Sequence, residues 1–381
     1  MQIHRFAPGG ALPSARDRVG QTDTAEGDLT FTCYENQVPP WMEPDLIRLY
    51  GSLYASHANF SAYNAPDSAS LFVARRAGLV VSALMYRRQG RRIQVLNEVT
   101  HIGRQEMALF ARHMFARHPE ARQIGFRAIS TDPEGPDLPQ LRLFYTENIV
   151  ISLPDTKEAY IGSLGKSTRK NIKHHISRAK RAFPSFEHVV VEGAQADEAD
   201  VRAIIDYNHQ RMAGKNKVSS LDEEEAARLL QLVRACGLVS LIRIEGAVRA
   251  GAIYFRIGDR FFSVVNAHDP AYDNYRLGMS CCYLTVLDAI HRGATEFHLL
   301  WGRYEYKYAL LGVQRDLEQV VLYRSSLAMI AELPSAFALA WSSYGKRFRF
   351  WFIEQKKHDT ALGRLLRGAR RQPAAKSARA A

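Results

Sequence analysis

Cysteine is scarce. Four occur in 381 residues, Cys33, Cys236, Cys281 and Cys282, and none stands in a C-x-x-C pair. That spacing supports neither a structural zinc site nor a disulfide framework, and no metal is expected. Reduced thiols in a cytoplasmic protein are the default expectation. Long apolar runs are also missing. Met1 to Asp28 is rich in Gly, Pro, Ser, Ala and charge. It lacks the apolar stretch of a signal peptide and reads as a flexible leader. Leu327 to Trp341 is apolar but short and carries Glu332 and Pro334. A membrane span needs about 20 apolar residues, so none is expected there, although interfacial contact is compatible with the segment. No Gly-x-Ser-x-Gly elbow occurs, so a serine nucleophile is unsupported. Acid is sparse from Lys346 onward. From Lys346 to Ala381, eleven Lys and Arg stand against Glu354 and Asp359, a net +9 of the chain's +12. Such an appendage suits an anionic surface, a membrane or nucleic acid, or simply solvates the chain.

What is present is enough apolar residue, 46% of the chain, for a sizeable core. The length allows two domains. A helix is expected from Glu43 to His57, where Pro44 suits the first turn and Leu46, Leu49, Tyr50 and Leu53 share a face. Strands are expected at Leu71–Ala74, Leu79–Tyr86, Arg91–Glu98 and Gln123–Ala128, with an amphipathic helix at Gln105–Arg117. Thr131 to Pro139, with its prolines, marks a boundary region. The second half reads as a strand at Ile149–Leu153 and helices at Lys166–Phe183, Asp200–Ala213 and Asp222–Cys236. Three antiparallel strands follow at Val239–Glu245, Arg249–Ile257 and Arg260–Ala267. A helix at Gly278–Arg292 and strands at Glu296–Leu300 and Val320–Tyr323 complete it. The first half shows a fainter version of strands, helix, strand, so two related halves are expected.

Three segments carry chemistry. In Asn266 to Ser280, a strand runs through a loop to Gly278 and a helix. Unpaired backbone N–H groups at a helix start suit a phosphate, and glycine permits close approach. Gly278 as a plain N-cap is the alternative. In Phe297 to Lys307, a strand ends at Gly302 before Tyr304, Glu305, Tyr306 and Lys307. Ionisable groups past a strand's carboxyl end sit where open α/β sheets hold ligands. Lys307 could balance an oxyanion and Tyr306 could protonate a leaving thiolate. Aromatic packing with a surface Lys–Glu pair is the bland reading. In Ser163 to Arg181, Ile172, Ile176, Ala179 and Phe183 keep one apolar face while Lys166, Arg169, Lys170, Lys173 and Arg178 fill the rest. This is an anion site for substrate or donor phosphates, or a solvated face.

Taken together and in this order, the three segments resemble the BioF2-like or CelD-type branch of the GNAT acyltransferases, itself related to the FemABX aminoacyltransferases. The resemblance covers about Leu153 to Tyr323. His298 stands where that branch usually has an acidic residue, Tyr304 where it often has Glu, and Arg276-Leu-Gly-Met-Ser only partly meets the standard GNAT signature. The resemblance implies an α/β fold of twin GNAT-like domains on a mixed sheet, the second the better match. The expected division is a leader over 1–28, a degenerate domain over 29–148, an acyltransferase domain over 149–325 and a helical, basic tail over 326–381. The donor, acetyl-CoA or another acyl-CoA, is expected against Ala267, Arg276, Leu277, Gly278, Met279 and Ser280. Lys307, Tyr306 and Glu305 are the expected catalytic residues, and Arg169, Lys173 and Tyr304 the expected acceptor contacts. Attack is direct, with a backbone N–H at the splayed end of Arg260–Ala267 binding the oxyanion. The implied activity is transfer of an acyl group to an amine or hydroxyl of a polar metabolite or saccharide precursor. Two other readings are open. One is a FemX-like transferase using aminoacyl-tRNA; the other is a non-catalytic binding protein on a degenerate GNAT fold. An acyl carrier protein, tRNA and an anionic membrane surface are the possible macromolecular partners.

Overall fold

A computed structural model describes residues 21–214, 219 and 221–357. The basic tail beyond 357 and the first twenty residues of the expected leader lie outside the described residues. The rest of that leader is not a leader. Gln21–Glu26 forms strand β1 and pairs antiparallel with β2 (Leu29–Tyr34).

The single helix expected over 43–57 is broken. It forms α1 (Glu43–Tyr50) and α2 (His57–Tyr63). Gly51 takes φ 52° at the end of α1, a left-handed cap that glycine adopts without strain. Ser56 then starts α2 by accepting from Asn59 N–H at 3.1 Å. Strands β3 (Ser70–Arg76), β4 (Leu79–Gln89), β5 (Arg92–Val95) and the short β6 (Thr100–His101) follow. Helix α3 (Arg104–Arg117) and β7 (Gln123–Ser130) come next. Met107, Phe110, Met114 and Phe115 of α3 are buried against the sheet, as the 3.6-residue spacing predicts. Strand β8 (Gln140–Ser152) is far longer than expected and runs through the expected boundary at 148/149.

The second half comprises α4 (Lys157–Ser163), α5 (Lys166–Ala182), β9 (Glu187–Glu192), α6 (Glu198–Ala213) and α7 (Glu223–Cys236). Then come β10 (Gly237–Ile244), β11 (Ala247–Ile257), β12 (Arg260–His268), α8 (Leu277–His291), β13 (Glu296–Leu300), α9 (Glu305–Ala309) and β14 (Val313–Tyr323). Two helices, α10 (Ser326–Ala331) and α11 (Leu333–Lys357), close the described chain. The β3–β4 and β10–β11 hairpins turn alike. Ala77–Gly78 and Glu245–Gly246 all have positive φ, the geometry that matches strand twist in a two-residue hairpin.

The described strands form one mixed sheet, ordered β1-β2-β3-β4-β5-β7-β14-β8-β13-β12-β11-β10-β9, with β6 beside β7. Strands β2 to β8 around α3 and β9 to β14 around α8 repeat one plan. The last strand of each half crosses over. β14 pairs with β7 of the first half, β8 pairs with β13 of the second, and β14 and β8 lie side by side between them. Helices α6 and α7 cover one face of the second half's strands, in a core that also takes Leu53, Ala62 and Val99 from the first half. Helices α4, α5 and α8 cover the other face.

Candidate functional site

The site begins where two strands part. β12 runs parallel to β13 only from Arg260 to Phe262, opposite Glu296 to His298. On its other side β12 pairs with β11, where Tyr254 faces Ser263 and Ile253 faces Val265, so Val264 is an extra, bulged residue. A bulge bends its strand, and here β12 turns away from β13 and opens a wedge. His298 stands at the last paired position. It stacks on Phe262 at 4.3 Å, lies 2.9 Å from Asn148 Nδ2 through Nδ1 and 3.3 Å from Glu296 Oε2 through Nε2. The Asn148 amide donates, so Nδ1 accepts and the ring hydrogen faces Glu296. Burial lowers the His298 pKa. The close contact with His298 Nε2 and the ion pair with Arg315 at 2.7 Å hold the Glu296 carboxyl down at about 2.

Register decides which backbone groups reach the wedge. Asp269 N–H donates to Arg249 O at 2.8 Å. Hydrogen-bonded and non-bonded pairs alternate in an antiparallel ladder, so Ala267 is bonded to Gly251 while Asn266 and His268 turn their backbone groups to the open edge. The expectation for Ala267 is therefore corrected to its neighbours. Its side chain is also buried in the core.

Past β12, Arg276 adopts φ 53° and starts α8. Ser280 N–H bonds back to Arg276 O. The N–H groups of Leu277, Gly278 and Met279 precede that first helical bond and have no acceptor among the described residues. The side chains of Leu277 and Ser280 are buried, so any ligand contact from these two is through backbone. Gly278 also meets a packing need that the sequence reading did not foresee. A Cβ there would lie 2.6 Å from His268 Nδ1, so glycine makes room for the imidazole, whose Nε2 sits 2.7 Å from Asp273 Oδ1.

A cavity of about 310 Å³ lies over this helix start, lined by Arg211, Asn266, His268, Arg276, Gly278, Met279, Tyr304 and Tyr306 among others. A second, of about 360 Å³, shares Arg211, Asn266, Tyr304 and Tyr306 and occupies the wedge between Ser263–Asn266 and Leu299–Gly302. A third, of about 320 Å³, shares Glu225, Val264 and Trp301 with the second and reaches Tyr54, Tyr63 and Arg127 of the first half. The three form a trough from the start of α8, through the wedge, to the junction of the halves. Sequence reading missed Arg211, Asn266 and His268. Arg211 Nε and Asn266 Oδ1 are buried polar atoms without a partner among the described residues.

Of the expected catalytic trio, Tyr306 and Lys307 both border the wedge cavity and Glu305 does not. Tyr306 lines the first two cavities, and burial raises its phenol pKa, which keeps it protonated at neutral pH. Tyr304 stacks on it at 6.2 Å and lines the same cavities. Lys307 is only 3% exposed. Its Nζ donates to the carbonyls of Leu299, Leu300 and Trp301 at 2.6, 3.2 and 2.6 Å. All three ammonium donors are consumed, so the expected oxyanion role is corrected. Lys307 positions the end of β13, where Leu300 takes φ 56°. Burial lowers its pKa to about 8. Glu147, buried on β8, accepts from Gly302 N–H at 3.1 Å and braces the same turn. Glu305 is exposed and lines none of these cavities. Arg169 and Lys173 are likewise exposed on α5 and line none of them, because the apolar side of α5 packs inward and these cations face out. On that helix Arg178 reaches the loop before α8, donating to Asn274 O at 3.4 Å and lying 5.1 Å from the Tyr275 ring centre.

Residues 166–308 match the family described as acetyltransferase (GNAT) domain. They cover α5 to α9 and so the wedge and the start of α8. No curated protein matches the chain. Among solved structures, a conserved protein of unknown function from Bacteroides thetaiotaomicron is similar over 76% of this chain and 98% of its own, at TM-score 0.50 and 10% identity. At that identity the likeness shows a shared fold. L-PGS from Bacillus licheniformis is similar over 81% of this chain and 98% of its own, at TM-score 0.49 and 12% identity. FemX is similar over 74% and 91%, at TM-score 0.47 and 10% identity. Residues 166–308 are thus similar to a GNAT acetyltransferase domain, and they lie within a mixed α/β fold.

Proposed function

We propose that the protein transfers an acyl group from an acyl-CoA-type thioester to an amine or hydroxyl of a polar metabolite or saccharide precursor, by direct attack in a ternary complex. One observation carries the reading: the bulge at Val264 opens the β12–β13 wedge beside a helix start with three unpaired N–H groups. The helix start, with Arg211 and Arg276, suits the donor's pyrophosphate. The acyl arm would lie along the open edge of β12, with backbone N–H of Asn266 or His268 facing the thioester oxygen as charge develops. The acceptor would enter from the junction of the halves, past Tyr54 and Trp301. Collapse of the tetrahedral intermediate breaks the C–S bond; the Tyr306 phenol, which lines the trough, would pass its proton to the leaving thiolate and regain one from the attacking amine or hydroxyl.

Calorimetric titration with CoA and acetyl-CoA tests the donor, followed by thiol release on adding pooled amines and alcohols. Binding of both with 1:1 stoichiometry, and thiol release with an acceptor, is expected. No binding of either, with capture of aminoacyl-tRNA that falls steeply with salt, would move the reading to an aminoacyl donor.

A further inference from the structure

Helix α11 lies against β8 by one side only. Ser343 Oγ donates to Phe144 O at 2.7 Å, Lys346 Nζ to Tyr145 O at 3.4 Å, and Phe350 packs edge-on against Phe144 at 6.1 Å. The opposite side is covered by nothing among the described residues. Phe337, Trp341, Tyr344, Phe348 and Trp351 are 70, 74, 65, 63 and 48% exposed. Their spacing of four, three, four and three residues puts the five rings within an arc of about 80° and along about 21 Å of helix. Leu327, Ile330 and Leu333, just ahead, are exposed as well. Single exposed rings are ordinary, but a continuous stripe of this size marks a contact surface.

The chemistry of the stripe and its flanks says what it contacts. Trp and Tyr are the residues most enriched at the boundary of headgroups and acyl chains, and Trp, Phe and Leu form the buried face of helices that lie there. Arg347 and Arg349 are exposed beside the stripe, and 346–381 carries eleven cations against two acids. Aromatic rings with a cationic surround are the composition of a helix lying in an anionic interface. A two-fold pairing of copies would instead bring the same cations together, with only Glu354 and Asp359 to offset them. No described helix is long and apolar enough to cross a membrane, so the contact is with the surface. We infer that α11 docks the protein on anionic membrane through the Phe337–Trp341–Tyr344–Phe348–Trp351 face. The inference is independent of the acyl-transfer reading, and its test uses no turnover.

The full chain is mixed with phosphatidylcholine vesicles, with and without phosphatidylglycerol, and floated on a density gradient. Trp emission is read in parallel. Flotation with the phosphatidylglycerol vesicles is expected, weaker in high salt, with a blue shift from Trp341 and Trp351. The triple variant Trp341→Ser/Phe348→Ser/Trp351→Ser changes exposed side chains only and should keep its circular dichroism. It should partition about tenfold less or worse. Arg349→Glu should weaken binding to the anionic vesicles alone. Equal flotation of parent and triple variant would overturn the proposal, leaving the basic tail as the anchor. So would failure of the parent to float, or a dimer by sedimentation velocity that the triple variant dissolves without any vesicle binding.

Discussion

In the second half, β12 leaves β13 after Phe262 and never returns. In the first half, β5 lies beside β7 at Arg92–Gln94, and β6 meets β7 again at Thr100–His101. The gap between is laced shut. Val99 N–H donates to Ala128 O at 2.7 Å, and Ile102 N–H donates to Ser130 O at 3.0 Å. The starts of the equivalent helices differ in the same sense. Ahead of α3, the chain supplies its own anion: Asp132 Oδ2 accepts from Arg104 N–H at 2.6 Å. Ahead of α8, three N–H groups are open. One plan, used twice, therefore gives one half with a wedge and an anion-ready helix start and another with both closed. A sealed ladder contributes stability, and an open one leaves polar groups for a ligand to satisfy.

The largest effect is expected at the turn that ends the open half. Lys307→Met keeps volume but strands three carbonyls, which costs about 2–4 kcal/mol in urea unfolding. The Leu300–Gly302 wall should shift with it, and turnover should fall about a hundredfold or more. A pH series separates this from a surface role. The folded pKa of about 8 lies below the ordinary 10.5. Between those values the unfolded chain holds the extra proton, so stability gains as pH rises through that window. The gain should be absent from Lys307→Met; identical pH slopes would remove the buried-lysine account.

Next in size is Tyr306→Phe. Its hydroxyl makes no bond to any described residue, so stability should hold. Turnover should drop about tenfold to a hundredfold with donor affinity intact. An unchanged rate would leave Tyr306 as a wall of the trough. Arg211→Ala should act on the other quantity, weakening acetyl-CoA about tenfold by calorimetry. A change in turnover alone would place Arg211 with the acceptor instead.

How far the sequence foretells this asymmetry depends on which kind of information each feature uses. The helix from Leu277, the β12 and β13 strands and the β3–β4 and β10–β11 hairpins follow local spacing and turn chemistry, and all are legible. Strand β8 is not. Its first part, Gln140 to Thr146, is only half-buried and mixes Arg142 and Thr146 with apolar residues, so no clean period of two emerges. Its partners, β13 and β14, lie some 150 residues away, and nothing local encodes that crossing. The same limit explains the site. Gly278 and Tyr306 sit in motifs. Lys307, in the same motif as Tyr306, reads as an oxyanion partner or a surface charge until the fold wraps three carbonyls around it. Arg169 and Lys173 share α5 with a real apolar face, but amphipathic spacing does not say what the polar face looks toward.

The smallest effect, and the one that bears most directly on the two halves, is expected from Asp132→Ala. Asp132 caps α3 through Arg104 N–H, so its loss should cost about 1 kcal/mol, as N-terminal capping side chains do. The substitution also frees the one feature of the first half that mimics a bound anion. If a bare helix start were enough to hold a donor, the variant would bind a second acetyl-CoA. The wedge argues otherwise, because the acyl arm needs an open strand edge and the Val99 and Ile102 N–H groups still close it against β7. Stoichiometry by calorimetry should therefore stay at one, with turnover unchanged. A second equivalent of donor would mean that the capping aspartate alone silences the first half, and that the laced strands contribute only stability.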